Sequence, residues 1–425
     1  MSMLMNNEAA LAQLSALTKE ALEEKLGKRE KAGAITAALY NSDMERRKDI
    51  LLAKNPAGII AGLCALSCLT GAKKAEIVSP CVADAAVANG LKAAAEKAGL
   101  ALTLTEDDFV TKTEHRSDLL VSFEELAAIA EKLAGEEPKA LYAVGDGDLA
   151  EADPAMTVKA FLESQGDVPE DIKGIAVDHA FCPAGALETV TLGQLASRSG
   201  VIRVLTGKDC ILDRARKEIL SLRKKSCGKC TFCREGLYQL QVNMDAVAAG
   251  RGKTTNFEMS QEIAEAMLVS CNCSLGDDAG KPVTTMMEYF RDEAEAHVRR
   301  KECKAGACLA FLQIYVDPAK CQGAGECAKV CPVDCIEIKP GYTALIESFD
   351  CTRCGKCIDA CPNGAIVRTA GKVPRNAETA VRLKNAAAAA AGAADADDDE
   401  DDGASRSSAR AGAARRHRTL RRPGR

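Results

Sequence analysis

Apolar residues recur at helical spacing through most of the first 140 residues, and short apolar runs separate these stretches. A period near 3.6 residues is typical of a helix that buries one face, whereas a brief apolar run between polar turns is typical of a strand. The predicted helices are residues 8–26, 28–40, 55–71 and 83–98, and the predicted strands are residues 75–78 and 100–104. Because helices and strands alternate, this part of the chain is predicted to form an α/β layer.

The pattern then changes to longer helices and, further on, to a repeated short motif. The predicted elements are a helix over 119–134, a strand over 141–144, short strands with one helix over 153–206, a helix over 209–225 and a mainly helical stretch over 234–300. Residues 321–338 and 351–368 repeat one arrangement, in which a cysteine group precedes Cys-Pro and a short apolar strand. After residue 376 the chain is Ala-rich, then acidic, then Arg-rich, which is typical of disorder.

Composition narrows the class of protein. The 425 residues are 47% hydrophobic and 28% charged, which is ordinary for a globular chain. A net charge of −5 gives no reason to expect nucleic-acid binding. The N-terminus lacks the basic and apolar segments of a signal peptide, and no apolar run is long enough to span a membrane. Neither export nor membrane insertion is therefore expected.

Cysteine is the most informative residue type, with twenty along the chain. In a long chain without a signal peptide, Cys-x-x-Cys groups favour metal binding over disulfides, and a reducing cytoplasm is the expected location. Eleven cysteines fall into three groups with iron–sulfur spacing. The groups are Cys227, Cys230 and Cys233 with a distant Cys273; Cys321, Cys327 and Cys331; and Cys351, Cys354, Cys357 and Cys361. Closely spaced thiolates can bind one cluster from a single turn of chain, and a remote cysteine completes the ligand set.

The run from Lys225 to Gly236, Lys-Ser-Cys-Gly-Lys-Cys-Thr-Phe-Cys-Arg-Glu-Gly, resembles a known cluster signature. The signature is that of the NADH-dehydrogenase flavoprotein subunit of respiratory complex I and of related subunits in bifurcating hydrogenases and formate dehydrogenases. The resemblance extends over residues 45–370 and is strongest after residue 200. It implies a [4Fe–4S] cluster whose fourth cysteine has a Cys-x-Leu-Gly context. Cys273 has that context, and Cys271 is the alternative two residues away.

The chain departs from this family in its nucleotide loops. Members hold FMN with a loop of the form Gly-Arg-Gly-Gly-x-Gly-Phe-Pro, in which glycines let backbone N–H groups approach phosphate. Residues 1–60 contain no such loop, residues 41–44 replace an expected acidic run, and the later Gly-Glu-Glu-Thr loop is also absent. The lone glycine pair at Gly145 and Gly147 predicts a turn. We therefore expect that neither FMN nor NAD is bound, and the alternative is a divergent flavin site.

The third cysteine group matches the bacterial ferredoxin motif at every position. In paired motifs of this kind, the fourth cysteine of each run binds the cluster of the other run. This rule implies one [4Fe–4S] cluster on Cys351, Cys354, Cys357 and Cys331. The second cluster would have Cys321, Cys327 and Cys361, with Ala324 where a fourth cysteine is needed. It is predicted as a [3Fe–4S] cluster, and the alternatives are a [4Fe–4S] cluster with an external ligand or an empty site. Cys335 resembles the extra cysteine of seven-iron ferredoxins and is predicted as a buried thiol that binds no iron.

A further candidate site is zinc on His297, Cys303 and Cys308. The stretch from Cys303 to Cys308 resembles a Cys-Pro-Ala-Gly-x-Cys element of hydrogenase-type relatives. Two thiolates and an imidazole suit a tetrahedral zinc ion, although no fourth ligand is evident, and structural thiols are the alternative. The isolated cysteines are predicted to be core residues: Cys64, Cys68, Cys81, Cys182 and Cys210.

Together these patterns predict an α/β fold, with a degenerate nucleotide-binding-like domain and a β-grasp-like module, followed by a helical cluster-binding bundle, a ferredoxin-like α+β domain and a disordered tail. The expected boundaries are, in that order, 1–150, 151–206, 207–300, 301–375 and 376–425.

The predicted function is an iron–sulfur electron-transfer subunit of a multi-subunit oxidoreductase, without catalytic residues of its own. The expected partners are other subunits of such a complex, including a thioredoxin-like [2Fe–2S] subunit or a flavin-, hydrogenase- or dehydrogenase-type subunit, and a ferredoxin is a further candidate. The alternatives are a complete NADH-oxidising FMN flavoprotein and a structural scaffold subunit.

Overall fold

The computed structural model describes residues 2–38, 47–107, 110–113, 115, 118–166, 168–370 and 372–383. The predicted disordered tail lies outside the described residues from position 384 onward, and so do residues 41–44. The chain divides into two compact units. Among the described residues, the larger unit contains those up to 314 together with 352–355 and 368–373, and the smaller unit contains 315–351, 356–367 and 374–383.

The N-terminal part of the larger unit is an α/β layer around a parallel sheet. Its elements are helices α1 (Glu8–Leu14) and α2 (Lys19–Leu26), strand β1 (Ile35–Ala38), helices α3 (Ile50–Lys54) and α4 (Pro56–Thr70), strand β2 (Ala75–Val78), helix α5 (Ala85–Ala98), strands β3 (Leu102–Thr105) and β4 (Leu119–Val121), and helix α6 (Phe123–Leu133). The strands are ordered β3-β2-β1-β4, and all three pairings are parallel. Parallel strands need crossover connections, and helices supply them here.

Two predicted helices differ from the structure. The sequence predicts a helix over residues 28–40, but residues 28–34 are not helical and residues 35–38 form β1, which is buried along its whole length. The β-branched pair Ile35-Thr36 favours a strand, and burial between parallel neighbours outweighs the helix preference of the alanines. The expected helix over 119–134 begins with β4 instead. Ser122 ends this strand and caps α6, because its hydroxyl accepts the Glu125 N–H at 3.1 Å.

Helix α4 forms the centre of this layer. Most of its residues are buried, Asn55 caps its N-terminus, and Gly71 ends it in the left-handed conformation at φ 76°. Among the described residues, no single helix has the length and apolar character needed to cross a membrane. Residues 47–54 and 56–70 reach that threshold only as a pair, with a bend of 91° between them.

A second, mixed sheet follows in the same unit. Its elements are strands β5 (Ala140–Val144) and β6 (Ala150–Ala152), helix α7 (Val158–Gln165), strands β7 (Ile172–Val177) and β8 (Ala180–Pro183), helix α8 (Leu192–Leu195) and strand β9 (Val201–Thr206). The strand order is β6-β5-β9-β7-β8, and only the β5–β9 pairing is parallel. Strand β5 lies before the boundary expected at residue 150, yet it pairs within this second sheet.

Six helices complete the larger unit. They are α9 (Ile211–Lys225), α10 (Thr231–Ala248), α11 (Thr255–Ser270), α12 (Ser274–Ala279), α13 (Lys281–Tyr289) and α14 (Arg291–Arg299). Their buried apolar faces, including Ile219, Leu240 and Met286, form one core. Three predicted cysteines of the first group and Cys271 belong to that core or pack against it, so the bundle surrounds the first candidate site.

The remaining elements are short. They are strand β10 (Gln313–Val316), helix α15 (Glu326–Lys329), strands β11 (Ile336–Glu337) and β12 (Leu345–Ile346), helix α16 (Lys356–Asp359) and strand β13 (Ile366–Thr369). Five 3₁₀ helices accompany the fold among the described residues: Arg47–Asp49, Pro80–Ala83, Ala184–Ala186, Leu309–Phe311 and Arg375–Ala377. Helices α15 and α16 occupy the same position in the two halves of the repeat, and each carries one buried cysteine, Cys327 or Cys357.

Candidate metal centres

The first cysteine group meets in one cavity of the helical bundle. Five thiols and one apolar side chain line this cavity: Cys227, Cys230, Cys233, Cys271, Cys273 and Leu275. The structure therefore brings together all four predicted ligands and also the alternative fourth ligand. Four thiolates suffice for an iron–sulfur cube, so the donor set present here fits the group that the sequence implies.

Local backbone geometry explains how three of these cysteines converge. Helix α9 ends at Lys225, Gly228 turns the chain at φ 76°, and α10 begins at Thr231 with Cys230 as its N-cap. The left-handed turn favours glycine at position 228. The last turn of α9 carries Arg223, Lys224 and Lys225. Both these cations and the N-terminus of α10 complement the negative charge of thiolates.

The other wall of the cavity is a short segment between α11 and α12 that bends at Asn272. Cys271 closes α11, with φ −94° and ψ 147°, and Cys273 precedes α12, with φ −149° and ψ 171°. The intervening Asn272 is held by the N-terminal layer. Its backbone carbonyl accepts the Lys112 N–H at 2.7 Å, and its side chain exchanges two hydrogen bonds with Thr113 at 2.8 and 3.0 Å. The arm that carries the remote cysteines is therefore fixed to a second part of the same unit.

Hydrogen bonding favours Cys273 over Cys271 as the fourth thiolate. Burial raises the pKa of Cys273, but the backbone N–H groups of Leu275 and Gly276 donate to its sulfur and oppose that shift. Burial raises the pKa of Cys271 to about 12. Donated N–H groups stabilise a thiolate, whereas uncompensated burial stabilises the neutral thiol.

The predicted three-cysteine site lies in the smaller unit. Cys321, Cys327 and Cys361 line one cavity, and Ala324 lines it between Gly323 and Gly325. Both glycines have φ 75°, which allows the loop to wrap around the cavity. Ala324 is exposed, so the position that lacks a thiol faces solvent. Burial raises the pKa of Cys327, and the nearby Cys321 and Cys361 add to that shift. Three thiols fit a three-iron cluster.

Two predicted ligands of the other cluster of the paired motif, Cys331 and Cys351, lie beside Cys335. The Sγ atoms of Cys331 and Cys335 are 3.5 Å apart. Burial raises the pKa of Cys335 to about 12, and its sulfur also interacts with Cys351. Cys335 is thus a buried thiol beside two of the predicted ligands. Cys354 is exposed and Cys357 is buried, and both stay predicted ligands.

A fourth group of donors is fully buried in the larger unit. Its members are Cys210, His297, Cys303 and Cys308, and one ligand atom from each lies within 4.8 Å of all the others. The sequence indicates three of these residues but not Cys210, which it predicts to be an isolated core residue. That interpretation is wrong, because the Cys210 Sγ lies 3.3 Å from His297 Nε2 and 3.7 Å from Cys308 Sγ.

The protonation of this quartet is strongly coupled. Burial opposes a charge on His297, but hydrogen bonds with Cys210 and Cys303 outweigh it and raise the pKa to about 10. Hydrogen bonds from Cys210 and Cys308 hold the pKa of Cys303 far below its ordinary value, and the pKa of Cys308 is raised. His297 Nδ1 contacts the Glu293 carbonyl at 2.9 Å, which leaves Nε2 directed at the sulfurs. Three thiols and one imidazole are a donor set typical of structural zinc.

The stretch that resembles a nucleotide-binding domain is occupied by internal contacts. The Lys48 side chain is buried, and its ammonium donates to Glu124 and, at 2.7 Å, to the Ser197 carbonyl. It also lies 5.0 Å from the centre of the Tyr142 ring. These contacts join the first α/β layer to the second sheet.

Comparison with known proteins identifies two iron–sulfur segments. Residues 213–297 match the family model of the NADH-ubiquinone oxidoreductase-F iron–sulfur binding region. Residues 313–373 match the model of the 4Fe-4S dicluster domain. The first match contains Cys227, Cys230, Cys233 and Cys273, and the second contains all seven cysteines of the paired motif.

Whole-protein similarity is partial. The chain is 36% identical over 138 residues to the NADP-reducing hydrogenase subunit HndC of Solidesulfovibrio fructosivorans, which is 32% of this chain and 28% of that protein. It is 30% identical over 137 residues to the NADH-quinone oxidoreductase F subunit of Mycobacterium bovis. These residues are 32% of this chain and 27% of that protein. The chain thus spans less than a third of either relative.

The fold extends further than the sequence identity. A chain of the NAD+-reducing [NiFe]-hydrogenase in its H2-reduced state superposes with a TM-score of 0.53 and 18% identity, covering 69% of this chain and 66% of that one. At this identity the likeness shows a shared fold. The chain is thus similar to the NADH-ubiquinone oxidoreductase-F iron–sulfur binding region over residues 213–297 and to the 4Fe-4S dicluster domain over residues 313–373.

Proposed function

We propose that this chain is an electron-transfer subunit of a multi-subunit oxidoreductase in the cytoplasm, relaying single electrons between partner subunits. The observation that carries the proposal is the convergence of thiols in two separate cavities, five in the helical bundle and three in the smaller unit. An iron–sulfur cluster, when bound, supplies one-electron transfer without proton chemistry. This role needs no general acid, base or nucleophile from the chain.

The ligand sets proposed for the three clusters follow the cysteine groups. The first is Cys227, Cys230, Cys233 and Cys273, the second is Cys331, Cys351, Cys354 and Cys357, and the third is Cys321, Cys327 and Cys361. We propose [4Fe–4S] clusters at the first two sites and a [3Fe–4S] cluster at the third. Geometry at the first and third sites supports these assignments, because those thiols share a cavity. At the second site, Cys331 and Cys351 both lie near Cys335.

We further propose that the chain holds neither FMN nor NAD. The sequence of residues 1–60 lacks the glycine loop that would cradle a flavin phosphate. Lys48, at the start of the region of resemblance, is also unavailable to a phosphate because its ammonium is bonded inside the protein. Electrons would therefore enter and leave through partner proteins. The relatives are named as subunits of a hydrogenase and of a quinone oxidoreductase, which supports partners from complexes of those types. Within such a complex, the partners that we propose are a thioredoxin-like [2Fe–2S] subunit or a flavin-, hydrogenase- or dehydrogenase-type subunit, or a ferredoxin.

We also propose a structural zinc ion on Cys210, His297, Cys303 and Cys308. All four residues are buried, and their ligand atoms already lie within the span of a single tetrahedral ion. The quartet joins the start of α9, the end of α14 and the stretch that precedes β10. A metal ion here would connect these three segments through a common ligand set.

The test of the main proposal is metal and flavin analysis of the anaerobically purified full-length chain. We expect about eleven iron atoms and about twelve acid-labile sulfide ions per chain, and no flavin. Visible absorbance should bleach with dithionite and stay unchanged with NADH. Stoichiometric FMN together with bleaching by NADH would show a complete flavoenzyme instead. Clusters that never change oxidation state in the intact complex would show a scaffold subunit.

A further inference from the structure

The first cluster site contains one thiol more than a cluster needs. Cys271 is 95% buried by the protein and lines the same cavity as the four proposed ligands. Gly276 provides the space for it, since a Cβ atom at position 276 would lie 2.0 Å from the Cys271 Cβ. The fifth thiol therefore has a place in the packing of this site.

Cys271 and Cys273 reach the same cavity from the two sides of a bend at Asn272. Both cysteines have extended φ and ψ angles. The side chain of Asn272 bonds to Thr113 and does not line the cavity. The Cys-Asn-Cys segment thus places two thiols in the cavity, and the residue between them holds the segment to the N-terminal layer.

We propose that Cys271 is an interchangeable fourth ligand of the first cluster. In the exchange, the bond from iron to the Cys273 sulfur breaks and that sulfur takes up a proton. The Cys271 thiol releases a proton and forms the new bond to iron. No electron is gained or lost, so the exchange needs no oxidant or reductant. This inference rests on the proposed first cluster.

The two ligands are attached to different parts of the unit. Cys273 forms a β-bridge with Thr111 of the N-terminal layer, whereas Cys271 closes α11, donating its N–H to the Met267 carbonyl at 3.1 Å. Cys273, which has the Cys-Ser-Leu-Gly context, is the resting ligand in this proposal. Exchange to Cys271 would transfer the attachment of the cluster from the bridged segment to the helical bundle. The cluster then survives a movement of residues 111–113 away from Asn272.

Alanine variants of the full-length chain test this exchange. Cys271→Ala and Cys273→Ala should each keep the iron content of the wild type. The double variant should lose iron, or gain an additional three-iron signal in the electron paramagnetic resonance (EPR) spectrum of the oxidised protein. The g-values of the reduced first cluster should change in Cys273→Ala and stay like those of the wild type in Cys271→Ala. Cys273→Val, whose apolar side chain fills the place of the thiol but cannot bind iron, repeats the test if the alanine variant does not fold.

Cys230→Ala is the matched control, because Cys230 has no second thiol beside it in the chain. It should lose iron from the first site or gain the three-iron signal. If Cys273→Ala behaves like Cys230→Ala, the exchange is disproved and the first cluster stands. If Cys271→Ala loses iron, Cys271 is an obligatory ligand and the exchange is also disproved. If the double variant Cys227→Ala/Cys230→Ala, which removes two ligands where one spare thiol is present, loses no iron, the proposed first cluster itself is disproved.

Discussion

At the residue scale, a buried carboxyl in the N-terminal layer makes the stability of the chain depend on pH. Glu131 of α6 is almost fully buried, and its carboxylate accepts the Lys139 N–H at 3.1 Å. Burial and, to a lesser extent, the nearby Glu151 raise the pKa of Glu131, and the Lys139 hydrogen bond opposes the shift. The net effect is a rise from 4.5 to about 7. Between these two values the folded protein binds a proton that the unfolded chain releases. The free energy of unfolding therefore falls as pH rises through about 7.

We expect Glu131→Gln to stabilise the protein above pH 7, because a neutral amide has no charge to desolvate. The gain should be roughly 1–3 kcal/mol at alkaline pH and should fade as pH falls below the folded pKa. Thermal unfolding of the anaerobically purified protein at several pH values measures it. Glu137→Gln is the control, since Glu137 is exposed. Equal unfolding temperatures for Glu131→Gln and wild type at alkaline pH would contradict the prediction.

At the element scale, helix α9 links two candidate metal centres. Cys210 is its N-cap and Cys227 follows its C-terminus, and 15 helical residues span about 22 Å at 1.5 Å per residue. The helix is amphipathic, with Ile211, Ala215, Ile219 and Leu222 in the core. The position of α9 between the buried His297 and cysteine quartet and the cavity of the first cysteine group therefore depends on packing and on what binds at its two ends.

Replacement of Cys210 tests the zinc centre at the start of α9. Cys210→Ala should reduce the metal content from about one zinc ion per chain to near none, because three donors bind zinc much more weakly than four. It should also lower the unfolding temperature, since three segments lose their common ligand. Elemental analysis and thermal unfolding measure the two effects.

Cys182→Ala is the matched control for this prediction. Cys182 is a half-buried thiol of β8, and it is not part of the quartet. Its variant should keep the zinc of the wild type. A wild-type chain purified without zinc from zinc-supplemented medium, or a Cys210→Ala variant that keeps its zinc, would disprove the centre.

The sequence predicts contacts between neighbouring residues better than contacts between residues that are far apart in the chain. The spacing of Cys227, Cys230 and Cys233 predicts their convergence, because a short turn and one helix start bring them together. Cys210 lies 87 residues before His297, so no local pattern connects them. The helix prediction fails at residues 35–38 for a related reason, since burial between two parallel neighbours selects the strand and depends on distant parts of the chain. Sequence context does favour Cys273 over Cys271, and hydrogen bonding agrees with that preference.

At the scale of the whole molecule, one of the three proposed clusters has only three cysteine ligands. The two halves of the repeated motif place Ala324 where the other half has Cys354. Ala324 is exposed at the edge of its cavity, so solvent reaches the position that lacks a thiol. A three-iron cluster needs only the three cysteines present. The chain would then hold one iron atom fewer than it would with three four-iron clusters.

Ala324→Cys should supply the fourth thiolate of this cluster. We expect the iron content to rise by about one atom per chain, because a fourth thiolate can hold the corner iron that three cysteines leave out. The three-iron EPR signal of the oxidised wild type should disappear in the variant. Ala319→Cys is the control: it adds a thiol at another exposed position of the same unit, outside the cavity, and should change neither quantity. A wild-type protein with no three-iron signal, or a variant that keeps the signal, would contradict the three-iron assignment and favour an open four-iron cluster or an empty site.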